Sequence, residues 1–460
     1  MKENKVELLE QKKKEYESKG VTKVKLGLTD IDGVVRGKYI GLDKFFSLLE
    51  VEGGFCDCVF GWDVNDELYQ LGGYTGWQSG FPDTGYRLLA DREIWLPGED
   101  CPYFIGEFVG PDGLDHPLCP RTKLFFIQSK FTELGLSIKS GLEYEFFVFK
   151  ESPHSIREKS YLDLIPLTPG NFGYSVLRTS AESDLFSGLM DYAQKMGCDL
   201  EGLHCETGPG VWEAALKAST GIESADNAAL FKTFSKVYFQ KRDLLATFMA
   251  KWSMDYPGQS GHYHFSLLSS KNDGNVFYEP SRPNNMSKMQ SCAVGGLIKY
   301  LPEFLVLIAP TINSYTRLVK GAWAPTAATW GVENRTSSIR VIPGSPKSQR
   351  IECRVGGADG NPYLVSSAIL AAAFLGIEEN LDPGEPVEGN AYEVEDDLPP
   401  ERRFASNLKD STDRFDQSTA ARRMFGNEFV DHFVLSRRHE VNEYERSIND
   451  WQLKRYFEII

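Results

Sequence analysis

Apolar and polar positions in the first third of the chain follow first a helical and then a strand pattern. Residues 1–20 form an amphipathic helical pattern with an exposed charged face at 12–15, and Gly20 is a helix stop signal. From Thr22 to Leu28 apolar and polar residues alternate, and a turn at 30–33 leads into a second strand. The clearest turn-rich boundary lies at 110–113. These patterns predict a small α+β domain over residues 1–113, followed by a second domain over 114–460.

The second domain is predicted to mix helices and strands. An amphipathic helix is expected from Arg121 to Gly135, a strand from Gly141 to Phe149, and a long helix from Ala225 to Phe248. A glycine-rich turn then leads into a strand that contains His262, His264 and Ser266 on one face.

A predicted hairpin near residue 345 gathers positive charge. In a strand, Arg350, Glu352 and Arg354 share one face because successive side chains alternate. The hairpin region carries five cations: Arg335, Arg340, Lys347, Arg350 and Arg354. Such a cluster suits a polyphosphate and an acidic substrate. The alternative is an exposed ladder of ion pairs worth about 0–1 kcal/mol each.

Composition narrows the class of protein. The 460 residues carry a formal net charge of −15 with the acidic residues spread along the chain, so nucleic acid is an unexpected partner. Of eight cysteines only Cys56 and Cys58 are close in sequence, which favours reduced thiols in the cytoplasm. The charged N-terminus is unlike a signal peptide, and no continuous apolar run reaches the ~18 residues of a membrane span.

Six side chains at predicted strand or turn positions form a candidate metal-ligand set. They are Glu143, Glu145, Glu206, Glu213, His262 and Glu352. Oxygen-rich ligation with a single imidazole favours Mg²⁺ or Mn²⁺, and six ligands suit two or three ions. The alternatives are that Glu206 and Glu213 are surface residues and that the histidines bond within their turn.

Seven motifs, in this order, resemble the signatures of the glutamine synthetase family. They are Gly141–Phe146, Glu206–Glu213, Ser260–Ser266, Asn313–Leu318, Trp330–Arg335, Arg350–Arg354 and Asn361–Leu364. The resemblance implies an α+β fold with an N-terminal β-grasp-like domain and a large C-terminal catalytic domain, in which helices flank an antiparallel sheet. It also implies a ring homo-oligomer, commonly a dodecamer, with active sites shared between neighbours. The implied reaction uses ATP to make an acyl phosphate of glutamate, which an amine then attacks.

The resemblance also implies a role for each matching residue. Glu145, Glu206 and Glu213 would bind one metal ion, and Glu143, His262 and Glu352 another. Gly258, Arg317 and Arg354 would hold the amino-acid substrate. Arg335, Arg340 and Lys347 would face the nucleotide phosphates, with Arg335 nearest the transferred phosphoryl group, and His264 and Ser266 would lie on the nucleotide side.

The sequence departs from the family pattern where the amine would bind. Trp323 stands where glutamine synthetases carry a glutamate before Ala324-Pro325, and the family's Asp-Gly-Ser-Ser stretch is missing. Asp57 is the candidate for its catalytic carboxylate, with Asp63 the alternative. Pro257 and Val211 also replace family residues in the substrate pockets.

These departures predict a ligase that joins glutamate to an amine larger than ammonia. The alternatives are a glutamine synthetase that uses ammonium, a non-catalytic structural relative, and a ligase that uses another acid in place of glutamate, which Pro257 leaves open. Tyr392, near a segment that some relatives modify by adenylylation, is expected to be an ordinary loop residue.

Overall fold

The computed structural model describes residues 2–69 and 73–460, with side chains from residue 10 onward. In this described part the longer strands form two sheets, one of five and one of nine strands. A continuous apolar core runs from the first sheet through the second to the C-terminal helices. The structure is an α+β fold, as the sequence predicts.

The first sheet lies within residues 23–109 and has two helices beside it. Its strands are β1 (Lys23–Thr29), β2 (Val35–Gly41), β3 (Gly53–Cys56), β4 (Asp83–Trp95) and β5 (Pro102–Val109), in the order β2-β1-β5-β4-β3. Only β1 and β5 pair in parallel. Helices α1 (Lys2–Ser18) and α2 (Leu42–Leu48) pack together through Tyr16 and Phe45, whose rings are fully buried. The predicted first helix and the two strands after it are confirmed.

The second sheet is antiparallel apart from one pair of strands. Its strands are β6 (Leu136–Phe149), β7 (Leu200–Cys205), β8 (Val211–Leu216), β9 (Ser219–Thr220), β10 (Leu245–Thr247), β11 (Gly261–Ser269), β12 (Trp330–Val332), β13 (Ile339–Ile342) and β14 (Arg350–Cys353). The main order is β12-β13-β14-β11-β6-β8-β7, with β9 and β10 also on β6. The expected hairpin is present, since β13 and β14 pair around the turn at 343–349.

The remaining helices for the most part contribute buried residues to the core. They are α3 (Pro120–Glu133), α4 (Pro153–Glu158), α5 (Val176–Ala181), α6 (Ser183–Lys195), α7 (Glu223–Gln240), α8 (Lys288–Ile308), α9 (Ser314–Arg317), α10 (Pro362–Glu378), α11 (Leu408–Gln417), α12 (Thr419–Phe425), α13 (Asn427–Arg446) and α14 (Asp450–Tyr456). Helix α8 is long and apolar enough to cross a membrane, although the sequence has no continuous apolar run of that length. Because 83% of its apolar window is buried inside the protein, α8 is a core helix.

One predicted helix is too long. The helix expected from Ala225 to Phe248 ends at Gln240, and residues 245–247 form strand β10 against β6. Asp243, with φ of +54°, makes the turn between them. The local sequence Lys241-Arg242-Asp243-Leu244-Leu245 contains no glycine or proline to mark this change, which pairing with β6 imposes.

Candidate active site

A cavity of about 590 Å³ opens on one face of the nine-stranded sheet. Cross-strand pairing places its polar side chains in a row. On β6, Glu143 pairs with His262 of β11, and Glu145 pairs with Glu213 of β8. The row extends to both sides through three further pairs: His264 with Glu352, Arg340 with Glu352, and His204 with Glu213. Side chains of directly opposed residues in adjacent strands are neighbours, so the register of the sheet builds the site.

The first acidic group consists of Glu143 and Glu352, which lie beside two histidines. Nδ1 of His262 lies 3.5 Å from Oε2 of Glu143 and 3.6 Å from Oε1 of Glu352, and Nε2 of His264 lies 3.2 Å from Oε1 of Glu143. Arg340 donates to Glu352 at 2.9 Å, and Arg354 donates to the same carboxylate. Burial acts to raise the pKa of Glu352, but His262 and Arg354 outweigh it and lower that pKa to about 2. Glu352 is therefore an ionised, fully buried carboxylate.

The second acidic group consists of the three carboxylates of Glu145, Glu206 and Glu213. Nε2 of His204 lies 3.1 Å from Oε1 of Glu206 and 3.7 Å from Oε1 of Glu213. Burial and the nearby Glu206 raise the pKa of Glu145 to about 7, although the backbone N–H of Ser260 donates to it at 2.9 Å. Burial together with Glu145 and Glu143 raises the pKa of Glu213 to about 9. Glu145 and Glu213 therefore keep raised pKa values although Arg317 lies near Glu145 and Arg354 near Glu213, because burial and mutual repulsion outweigh these cations.

Both groups fit divalent cations. Possible ligand atoms of Glu143, His264 and Glu352 lie within 4.8 Å of one another, and so do those of His204, Glu206 and Glu213. In the first group Nε2 of His262 is also buried, and the described part of the chain offers it no hydrogen-bond partner. Carboxylate oxygens with one or two imidazoles suit Mg²⁺ or Mn²⁺, and a cation would relieve the repulsion that raises the pKa of Glu213.

The two groups of possible ligand atoms defined by distance differ in two residues from the predicted ligand sets. All six predicted ligands line the cavity. However, His264, predicted on the nucleotide side, is as close to Glu143 as His262 is, and His204 joins Glu206 and Glu213. His204 was missed because a single histidine two residues before a glutamate is a weak signal in the sequence.

The cavity wall contains a buried arginine. Arg317 donates through Nη1 to the carbonyl of Val355 at 2.8 Å, whereas its Nη2 is buried and has no hydrogen-bond partner among the described residues. Burial lowers the pKa of Arg317. A Cβ on Gly258 would lie 2.7 Å from the carbonyl oxygen of Ala250 and 3.0 Å from Cγ of Arg317. Glycine is therefore required at 258 for the chain to pass this close to the arginine.

The other predicted cations line the same cavity or a neighbouring one. Arg335, Arg340 and Arg354 line the main cavity together with Arg350, which donates to Nδ1 of His264 at 3.3 Å. Lys347 and Ser266 instead line a second cavity of about 280 Å³ that shares Glu143, His264 and Arg350 with the first. The structure thus brings all the predicted phosphate-side residues into two connected cavities.

Trp323 lines the cavity from an irregular loop. Its side chain is 64% exposed, and its φ is +59°, a left-handed conformation that is unfavourable for a residue with a Cβ. Pro257 and Ala322 line the same cavity. This part of the wall presents apolar surface, which suits a carbon-containing substrate better than a small hydrated cation.

Tyr174 is a second aromatic residue of the wall that the sequence did not reveal. Its ring stacks on His204 with centroids 4.5 Å apart and an interplanar angle of 13°. It lies between two short helices in a segment without regular periodicity, so its contact with His204 depends on the tertiary fold.

The predicted catalytic Asp57 lies outside the cavity of its own chain. It is buried beside the first sheet, where Thr75 donates to Oδ1 at 2.7 Å, and burial raises its pKa. The alternative, Asp63, accepts hydrogen bonds from two backbone N–H groups of its own turn and lies 3.3 Å from His439. Neither carboxylate meets the two acidic groups within one chain.

Comparison with known proteins agrees with this architecture. The family model described as glutamine synthetase, catalytic domain, matches residues 117–456. A protein named type-1 glutamine synthetase 2, from Dictyostelium discoideum, is 42% identical over 95% of this chain and 84% of its own length. Glutamate–isopropylamine ligase from a Pseudomonas species is 34% identical over 96% of both chains. A solved structure titled apo GmaS without ligand has a TM-score of 0.82 over 96% of this chain and 98% of its own, at 24% identity, and so supports the fold alone.

The fold and these relatives define an enzyme, an ATP-dependent ligase that forms carbon–nitrogen bonds. Members of this class use ATP and divalent metal ions. The chain belongs to the glutamine synthetase family.

Proposed function

We propose that this protein joins glutamate to an organic amine larger than ammonia, through a γ-glutamyl phosphate intermediate. A γ-carboxylate oxygen of glutamate attacks the γ-phosphorus of ATP, the bond to the bridging oxygen breaks, and ADP leaves. The amine nitrogen then attacks the acyl carbon, phosphate leaves, and the nitrogen gives up a proton. Phosphoryl transfer of this kind depends mainly on positioning and charge neutralisation.

The proposal assigns the polar residues of the cavity to the two ends of this reaction. Arg317 and Arg354 bind the carboxylates of glutamate, and Gly258 leaves room for the close approach of Arg317. Arg335, Arg340 and Lys347 bind the ATP phosphates, with Arg335 nearest the transferred group, and Ser266 lies farther along the nucleotide side. Two or three Mg²⁺ or Mn²⁺ ions, bound by the two acidic groups, would neutralise phosphate charge and polarise the transferred group.

The observation that carries the choice of amine is Trp323. An exposed indole at the cavity wall offers apolar contact to an alkyl chain and a cation–π interaction of about 0.5–2 kcal/mol to an ammonium group. A carboxylate there would favour ammonium itself. The relative named glutamate–isopropylamine ligase supports the same choice.

The second candidate is a glutamine synthetase that uses ammonium. It is favoured by the name of the Dictyostelium relative, which has the higher identity of the two relatives compared above. A non-catalytic role is not supported, because both acidic groups and the arginine cluster are intact.

We also propose that the site is completed in a cytoplasmic ring homo-oligomer of twelve subunits. The amine must lose its proton to a base, and Asp57 could serve only from a neighbouring subunit, because it lies outside the cavity of its own chain. Residues 1–113 would then form the domain that reaches the neighbour, and 114–460 the catalytic domain. Native mass spectrometry would give the subunit number, and a monomer that is fully active would contradict the shared site.

The test of the function is phosphate release from ATP with glutamate and Mg²⁺ or Mn²⁺. The panel contains no amine, ammonium, methylamine, ethanolamine, isopropylamine and putrescine, and mass spectrometry identifies the amide. Selective stimulation by one organic amine is expected. Stimulation by ammonium alone would make the enzyme a glutamine synthetase, and silence with every amine would redirect the search to another acid.

A further inference from the structure

A lysine that the proposed reaction does not yet use lies at the outer end of the second cavity. Lys139 is on β6, four residues before Glu143, and lines the 280 Å³ cavity together with Lys347, Arg350 and Ser266. On β6, Lys139, Gly141 and Glu143 share one face because side chains alternate along a strand. Lys139 therefore lies on the same sheet face as the metal-binding carboxylates.

Between Lys139 and Glu143 this face of β6 has no side chain of its own, and Leu216 and Ala218 lie close to the strand there. Residue 141, the position between them on this face, is glycine, and the cavity lies over it. Four residues of strand separate the Cα atoms of Lys139 and Glu143 by about 13 Å. An extended triphosphate with its terminal phosphate at Glu143 would run toward Lys139 and bring its α-phosphate within reach of the long lysine side chain.

No described residue forms an ion pair with Lys139. Among the described residues, no carboxylate lies within ion-pairing distance of Lys139 or Lys347, and Lys139 is exposed. Ser266 of β11 pairs directly with Lys139 of β6, but its hydroxyl already donates a hydrogen bond to the carbonyl of Gln349. Glu201 also lines the cavity without forming an ion pair with either lysine. Two unpaired ammonium groups facing one cavity favour an anionic ligand.

We propose that Lys139 is a nucleotide-binding residue that contacts the α-phosphate, at the end of the triphosphate remote from the metal ions. The proposal rests on the proposed function, because it takes ATP to be the ligand of the second cavity. Lys139 then contributes to nucleotide affinity and not to the chemical step, which takes place at the other end of the site.

Binding of ADP with Mg²⁺, measured by isothermal titration calorimetry, tests this assignment. Lys139→Met is expected to raise the Kd for ADP by about 2- to 5-fold, as for an exposed charge-assisted contact. Lys139→Arg should stay near wild type, and Lys139→Glu should weaken binding further. In turnover the KM for ATP should rise with kcat nearly unchanged.

The matched control is Lys150→Met. Lys150 is an exposed lysine just beyond the other end of β6 and lines neither cavity. If Lys139→Met binds ADP as tightly as wild type, the assignment is wrong, even if Lys139→Glu is weaker. If wild type itself fails to bind ADP, the proposed function fails as well, so the two failures are distinguishable.

Discussion

Glu145 of β6 and Glu213 of β8 lie directly opposite each other in the sheet, and both are acids of raised pKa. Opposed like charges on adjacent strands are destabilising, and burial adds to the cost. A third carboxylate, Glu206, lies near this pair. Three clustered carboxylates are the arrangement expected of a cation site.

The first prediction concerns pH. With folded-state pKa values of about 7 and about 9, these two acids stabilise the metal-free fold below their ordinary pKa of 4.5, and that stabilisation is lost as the pH rises through 7 and 9. A bound divalent cation removes the loss because it requires the ionised forms. The rise in Tm on adding Mn²⁺ to EDTA-treated protein should therefore be larger at about pH 8.5 than at about pH 6.

Glu213→Gln supplies the control for this measurement. It removes the acid with the higher pKa, so most of the pH dependence of the Mn²⁺ effect should disappear. Equal Tm shifts at both pH values in wild type would contradict a metal site at Glu145 and Glu213.

The second prediction concerns the choice of amine. Trp323→Glu places a carboxylate where the indole now lines the cavity. The kcat/KM for the preferred organic amine should fall by about 2- to 30-fold, corresponding to the loss of a cation–π contact, while that for ammonium should rise.

Leu114→Glu is the matched control for Trp323→Glu. Leu114 is an apolar residue of similar exposure, 65%, and it does not line the cavity. Its substitution should leave the ratio of the two kcat/KM values unchanged. An unaltered ratio in Trp323→Glu as well would remove Trp323 from the amine site.

The third prediction separates stability from activity at the same residue. Because Trp323 has a φ of +59° and its side chain is mostly exposed, Trp323→Gly should raise the free energy of unfolding by about 1 kcal/mol. Use of the organic amine should fall. Trp323→Ala loses the indole but keeps a Cβ, so it should lose activity without the gain, as urea denaturation would show.

The fourth prediction concerns the glutamate end. Gly258→Ala forces a methyl group to within 3.0 Å of Cγ of Arg317 and 2.7 Å of a backbone oxygen, so the arginine must move. The KM for glutamate should rise by about 10- to 100-fold, as for a lost contact to a charged group, with ADP binding unchanged.

Gly41→Ala provides the comparison, because a Cβ there meets no atom within 4 Å. It should keep the wild-type KM for glutamate. If Gly258→Ala also weakens ADP binding, the substitution disturbs the whole cavity and does not isolate Arg317.

Local patterns in the sequence were sufficient for most of the ligand set and for the hairpin. Glu143 and Glu145 alternate on one strand, and the 343–349 turn is rich in proline and glycine. The sequence could not reveal that His204 and Tyr174 belong to the site, because their partners are set by cross-strand register and by an irregular segment. The end of helix α7 at Gln240 was likewise missed, since β10 exists only through its pairing with β6.

The spread of the ligands over several strands of the sheet also affects when the cation sites can form during synthesis of the chain. Its members come from β6, β7, β8, β11 and β14, and Glu352 is synthesised long after Glu143. A nascent chain on the ribosome therefore lacks the first cation site until β14 has emerged and paired in register. Incomplete or misregistered chains should not retain the metal ion, so metal retention would distinguish finished enzyme from translation fragments.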